Sequence, residues 1–294
     1  MRRRRTWMTM GTVVMLVIAL PTSVANAATA TPGGRILYTH SVGSTSGVHG
    51  ELRSVRPDGT AMYVYSLPPG AFVYPDYSPD GTRIAYVSQF SVRTMSAQDG
   101  SDDRWLIDGP CAPASPRWSP DGTQVGFESC GDIYVASSDG PSLRNATESE
   151  FNDLQTSWAP GGKRFATATM AGVQIYRTDG SRSRTLTDLP GAWHLDWNPN
   201  GRSIAVQADG DLWLVDADTG STRRLTDTPD ITELSPTWSP DGRWLAYGRG
   251  PNDPEAGDPN SAAIDPQIWL MTRTGGRPHP IGVHGVPSSW RAAG

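Results

Sequence analysis

An all-β fold made of repeated small sheets is predicted by three features of the 294-residue sequence. An aromatic residue leading into a tight turn recurs at Tyr77, Trp118, Trp158, Trp197 and Trp238, at intervals of 41, 40, 39 and 41 residues, and the aromatic alone recurs at Trp290. The glycine of a second turn recurs at Gly59, Gly100, Gly140, Gly180 and Gly220, at intervals of 41, 40, 40 and 40, and once more at Gly276. Between these markers lie short segments that alternate with period two, and no long stretch carries helical periodicity. The 32 glycines and 25 prolines supply the many turns such a chain needs. Four short strands in each period of about 40 residues are the signature of a β-propeller blade.

Within a period the strands follow in order. The first ends on the aromatic and enters Ser78-Pro-Asp-Gly81, Ser119-Pro-Asp-Gly122, Ala159-Pro-Gly-Gly162, Asn198-Pro-Asn-Gly201 or Ser239-Pro-Asp-Gly242. Proline presets φ at the second turn position, Asp or Asn caps locally, and Gly accepts positive φ. The second strand carries small and branched apolar residues, as in Arg83-Ile-Ala-Tyr-Val87 and Trp244-Leu-Ala-Tyr247. The third alternates, as in Asp132-Ile-Tyr-Val135 and Gln267-Ile-Trp-Leu-Met271, and the fourth is typified by Arg184-Thr-Leu-Thr187. Asp241 has equivalents at Asp80 and Asp121 but is Gly161 and Asn200 elsewhere, as a turn requirement allows and a catalytic role does not.

The two ends complete the count. Arg35-Ile-Leu-Tyr38 matches a second strand with no first strand before it, and Pro287-Ser-Ser-Trp290 matches a first strand with no second after it. Joining them closes a six-bladed ring over residues 35–294 and hides a sheet edge that otherwise invites aggregation. Ahead of it, Arg2 to Arg5, the apolar run Gly11 to Leu20 and Ala25-Asn26-Ala27 read as a secretory signal peptide over 1–27, with 28–34 as a short linker. The apolar run is too short to span a bilayer, which takes about 20 residues.

Trp-Ser-Pro-Asp-Gly followed by Ile-Ala-Tyr, then Ile-Trp-Leu, then Arg-Arg-Leu-Thr, resembles the repeat of the TolB-like β-propellers, a family related to WD-type repeats. The resemblance covers Arg35 to Gly294. It implies a binding module that works by protein–protein contact in the cell envelope. Two departures stand out: no α/β domain of the TolB kind is legible before the propeller, and no Gly-x-Ser-x-Gly elbow of the propeller-bearing peptidases occurs.

Composition narrows the classes of partner. Without the signal the chain keeps 21 basic and 30 acidic residues, a net charge of −9, and only Lys163 is a lysine. An acidic chain without a basic run is a poor ligand for nucleic acid or anionic lipid. The two cysteines, Cys111 and Cys130, match no zinc spacing and in an exported protein form a disulfide.

Strand direction sorts the loops onto two faces. The Pro-Asp-Gly turns lie on one, face B; the loops from strand two to three and from strand four to the next blade lie on the other, face T. Cys111 and Cys130 both fall on face T of blade three. So do four histidines: His40 at the end of a second strand, His49 in a two-to-three loop, His194 at the start of a first strand beside Asp196, and His284 in a four-to-one loop. Most of the 11 tryptophans occupy repeat positions and pack between blades, whereas Trp193 beside His194 is placed to meet a ligand. The segment Arg249 to Pro266 is a polar insertion whose Asp253, Glu255, Asp258 and Asp265 match no EF-hand spacing, and it reads as an acidic flap.

The expected function is that of a secreted or envelope propeller, monomeric, binding a protein or a small ligand through face T and the channel. His40, His49, Trp193, His194, Asp196 and His284 are its candidate contacts. No catalytic residue and no cofactor is expected. The rival is a propeller lyase or hydrolase acting on a carbohydrate or small substrate, with a divalent metal on His40, His194 and His284.

Overall fold

The computed structural model describes residues 32–44, 47–67, 74–149, 152–179, 183–252, 263 and 265–293, without the side chains of 42–44, 47–49 and 183. The expected signal peptide, the His49 side chain and Asp253, Glu255 and Asp258 of the insertion lie outside these described residues.

Every regular element among them is a strand. Blade one holds β1 (Arg35–Ser44), β2 (Gly47–Val55) and β3 (Tyr63–Val64). Blade two holds β4 (Asp76–Tyr77), β5 (Arg83–Ser88), β6 (Ser91–Ser96) and β7 (Arg104–Asp108). Blade three holds β8 (Ala114–Trp118), β9 (Gln124–Ser129), β10 (Asp132–Ser137) and β11 (Gly140–Asn145). Blade four holds β12 (Gln155–Trp158), β13 (Arg164–Thr169), β14 (Gly172–Arg177) and β15 (Ser183–Asp188). Blade five holds β16 (Ala192–Trp197), β17 (Ser203–Ala208), β18 (Asp211–Asp216) and β19 (Thr222–Arg224). Blade six holds β20 (Ile231–Trp238), β21 (Trp244–Pro251), β22 (Gln267–Thr272) and β23 (His279–His284). The last strand, β24 (Val286–Arg291), pairs antiparallel with β1, so the first sheet runs β24-β1-β2-β3 and the ring of six four-stranded blades closes through strand pairing as expected. The inner strands β24, β4, β8, β12, β16 and β20 each pack against the next around the channel, and β20 packs back on β24.

One cross-strand pair explains why the repeat keeps its aromatic. Tyr77 faces Ile84, Trp118 faces Val125, Trp158 faces Phe165, Trp197 faces Ile204, Trp238 faces Leu245, and at the closure Trp290 faces Ile36. All six second-strand partners are fully buried. Each contributes about 1.5–3 kcal/mol by leaving water. The turn residues do what the sequence asks of them: the Gly81, Gly122, Gly162, Gly201 and Gly242 amides donate to the carbonyls three residues before, at 2.8–2.9 Å, and all five glycines have positive φ. Gly242 has a second reason to be glycine, because a Cβ there would lie 2.4 Å from Asn198 Oδ1 of the neighbouring blade.

Two expectations are corrected in blade one. β1 runs on to Ser44 and pairs with β2 through Val42 and His49, so His40 is internal to a strand and His49 sits in β2 rather than in a loop. The polar Gly- and Ser-rich stretch reads as a loop, yet with Val42 and Val48 it keeps enough alternation to continue the hairpin. Likewise His284 is the last residue of β23, at the edge of its loop.

Candidate functional site

The innermost strand of each blade has no further strand on its inner edge, so its backbone N–H groups need other acceptors. At four of the six seams the residue before the aromatic supplies one to the next blade: Trp118 N–H donates to Asp76 Oδ2 at 2.8 Å, Trp197 N–H to Ser157 Oγ at 2.9 Å, Trp238 N–H to Asp196 Oδ2 at 2.7 Å, and Tyr77 N–H to Ser289 Oγ at 3.1 Å. Ser289, Asp76, Arg117, Ser157, Asp196 and Thr237 thus form one polar layer around the channel, lining a cavity of about 250 Å³ that opens on face B.

Arg117 is the cation of this layer. It is buried, its guanidinium donates across to Ser288 O at 2.8 Å, and it lies 3.8 Å from the Asp76 carboxylate. Burial raises the Asp76 carboxyl above its usual range, against the pull of Arg117. The same two influences act on Asp196, where burial prevails and pushes the carboxyl up to about 6. Burial thus biases both carboxyls toward their neutral form beside one fixed arginine.

Toward face T the channel is occupied by aromatic rings. His194 is buried, and its Nδ1–H donates to Gln207 Oε1 at 2.8 Å, an oxygen that also accepts the Ser235 amide at 2.9 Å. Burial drives the imidazole down to about 3, so it is neutral. Tyr74, which enters blade two, stands edge-on to this ring with centroids 4.2 Å apart, and Trp193 meets it from the other side at 6.3 Å. Tyr74 holds a left-handed backbone, φ 50°, to reach that position.

The candidate residues therefore separate into three places. His194, Trp193 and Asp196 belong to β16, with Asp196 turned to the face B layer. His40 and His284 meet at the closure seam, where His40 Nδ1–H donates to His284 O at 3.1 Å. His284 Nδ1–H reaches Asp265 Oδ2 at 2.9 Å and its Nε2 accepts from Gln267 at 3.1 Å. These two histidines, with Arg53 and Asp265, line a shallow cavity of about 440 Å³ on the outer side of blades six and one. His194 shares no hydrogen bond or ring contact with them among the described residues. No group of three His, Cys, Asp or Glu side chains suited to a metal occurs there either. Sequence reasoning missed Asp76, Arg117 and Tyr74. The first two were findable, as charged residues in a repeat column that is Ser or Thr in three other copies; Tyr74 left no signal.

Face T carries further features. Cys111 and Cys130 are joined in a disulfide, Cα atoms 5.3 Å apart, and Ser129 Oγ bridges the backbone of Cys111 on both sides at 3.0 Å. The bond staples the two face T loops of blade three, as expected. On either side, Phe90 and Met170 occupy the two-to-three turns of blades two and four and are 68% and 58% exposed.

A model of the TolB beta propeller domain matches residues 29–253. A protein TolB homolog from Chlorobium luteolum is 28% identical over 136 residues, which span 44% of this chain and 31% of that one. The solved TolB of Acinetobacter baumannii superposes with a TM-score of 0.72 at 20% identity, over 90% of this chain and 68% of that one. A TolB candidate from Agrobacterium tumefaciens gives 0.68 at 20% identity, over 87% and 93%. Among the described residues no helix is long and apolar enough to cross a membrane.

Proposed function

The chain belongs to the TolB beta propeller domain family, and from that premise we propose that it is an exported, monomeric envelope protein that docks a segment of another protein on face T and into the mouth of the channel. The observation that carries this reading is the pair Phe90 and Met170, large apolar side chains held out at the tips of turns on one face, flanking the stapled loops of blade three. Loops set on a rigid scaffold are where binding residues concentrate. Tyr74 and His194, which meet across the channel, floor the mouth that an inserted segment enters. Trp193, His40 and His284 are contacts at its rim.

The test is capture from a cell-envelope extract. A Phe90→Asp, Met170→Asp double variant with an unchanged melting temperature loses the polypeptide that the wild type retains. Equal retention by the variant removes face T from the proposal.

A further inference from the structure

A second cleft lies on the opposite side. It has a volume of about 660 Å³ and opens between blades two and three on the face B side, bounded by Pro79, Trp105, Trp118, Asp121 and the turn Ser138–Gly140. Pockets that hold small molecules span about 300–1,000 Å³. The tryptophan in its wall differs from its counterparts. Of the five tryptophans at the repeat position, Trp158, Trp197, Trp238 and Trp290 each donate their indole N–H to a backbone carbonyl at 3.0–3.2 Å. The indole N–H of Trp118, in the wall of the cleft, is buried and has no partner.

At the mouth stands Trp105, half of whose surface is exposed. It is not loose. Its Nε1–H donates to Asp108 Oδ1 at 2.8 Å, and that oxygen is itself fixed by Ser91 Oγ at 2.6 Å. A large flat ring is thereby kept in contact with water and prevented from folding down, although an indole gains most by being buried. Such a ring is a stacking platform whose orientation is already set.

The walls supply the rest of the chemistry. Arg83 and Arg104 share the Asp102 carboxylate at 2.7 Å each, and Arg104 keeps its guanidinium two-thirds exposed. Opposite, Asp121 has Oδ1 tied to Ser119 and Thr123, while no described residue donates to Oδ2. Asp80 and Asp139 add two more carboxylates. Three lining aspartates against two arginines that are already paired with Asp102 exclude an anionic ligand such as a phosphate ester. Arginine donors beside a flat apolar face on the blade two wall, with aspartate acceptors on both walls, match a neutral polyhydroxylated ring. A pyranose with equatorial substituents presents its C–H face to an indole and its hydroxyls outward, as donors to carboxylates and acceptors from guanidinium.

We propose that the cleft between blades two and three is a binding site for a neutral β-linked oligosaccharide, one ring stacked on Trp105 and its hydroxyls divided between Arg104 and Asp121. It goes beyond face T docking and stands whether or not face T binds a protein.

The test uses the full-length purified protein titrated with cellotetraose and with chitotetraose, followed by tryptophan fluorescence and calorimetry. At least one of the two binds saturably at micromolar to millimolar concentration. Trp105→Ala weakens it about two- to ten-fold, on the scale of one aromatic stacking contact. Trp105→Phe, which keeps a flat face but loses the tie to Asp108, gives an intermediate affinity, and Arg104→Ala, at an exposed position, weakens binding without lowering the melting temperature. Absence of binding by both sugars overturns the site. So does an affinity that Trp105→Ala leaves unchanged, or a proline-rich peptide taking the cleft where the sugars do not.

Discussion

Tyr74 and His194 meet across the channel, edge to face at 4.2 Å, from blades two and five on opposite sides of the ring. This ring contact links the two blades over the face T end of the channel. It shelters His194 from water and leaves the Nδ1–H to Gln207 alone.

Replacing Tyr74 by Ala lets water reach the imidazole. The burial that holds His194 at about 3 is relieved, and its pKa moves up toward the ordinary value near 6.5. A ring-proton NMR titration reads this directly: no His194 transition between pH 8 and pH 4 in the wild type, and one within that range in the variant. The lost aromatic pair costs about 1 kcal/mol, and the lost burial of the Tyr74 ring adds to it.

Asp196 predicts a pH dependence of definite sign. Its folded pKa, raised to about 6 by burial, exceeds the unfolded value near 3.9. It therefore contributes stability that is complete below about pH 4 and is lost as pH rises through about 6. Asp196→Asn removes the ionisation and can still accept the Trp238 amide. Its stability relative to the wild type rises between pH 4 and pH 7, by up to about 3 kcal/mol. His194 acts in the opposite sense, since its pKa is lowered: its contribution is present above about 6.5 and is lost as pH falls toward about 3. Denaturant titrations of both proteins at four pH values separate the two, and a difference that does not change with pH removes Asp196 as their source.

Deleting residues 287–294 takes away β24 and with it the Trp290–Ile36 pair. The loss is global rather than local, because β1 then presents an open edge and both neighbouring blades lose a packing partner. A fall in melting temperature of the whole cooperative transition is expected; an unchanged one contradicts closure by strand pairing.

The disulfide closes a short loop between Cys111 and Cys130. Cys111→Ser with Cys130→Ser costs about 3 kcal/mol on the scale of loop-closure entropy. Thiol titration of the unreduced protein finds no free thiol, whereas two free thiols exclude the bond.

The ring was legible because its physics repeats. An aromatic opposite a branched residue, followed by Pro and a positive-φ Gly, is a local requirement that shows each time it recurs, and so the blades, their order and the closure follow from spacing. The site was legible only in part. Cys111 and Cys130 could be paired because both loops were placed on one face. The histidines could be placed on a face but not at a radius: His194 on the inner strand β16 and His284 on the outer strand β23 look alike in sequence, and only the fold separates channel from rim. His49 was misplaced because a strand rich in Gly and Ser carries little of the β-branched signal. Tyr74 acts through a contact 120 residues away in sequence, for which no local pattern exists.

Docking on face T is tested most directly by site-specific photo-crosslinking in producing cells, with a photoreactive residue placed at Phe90, at Met170, or at Arg202 in the exposed face B turn of blade five. The same protein adduct at Phe90 and Met170, and none at Arg202, is the predicted result. Adducts of equal yield on both faces, or at Arg202 alone, contradict it.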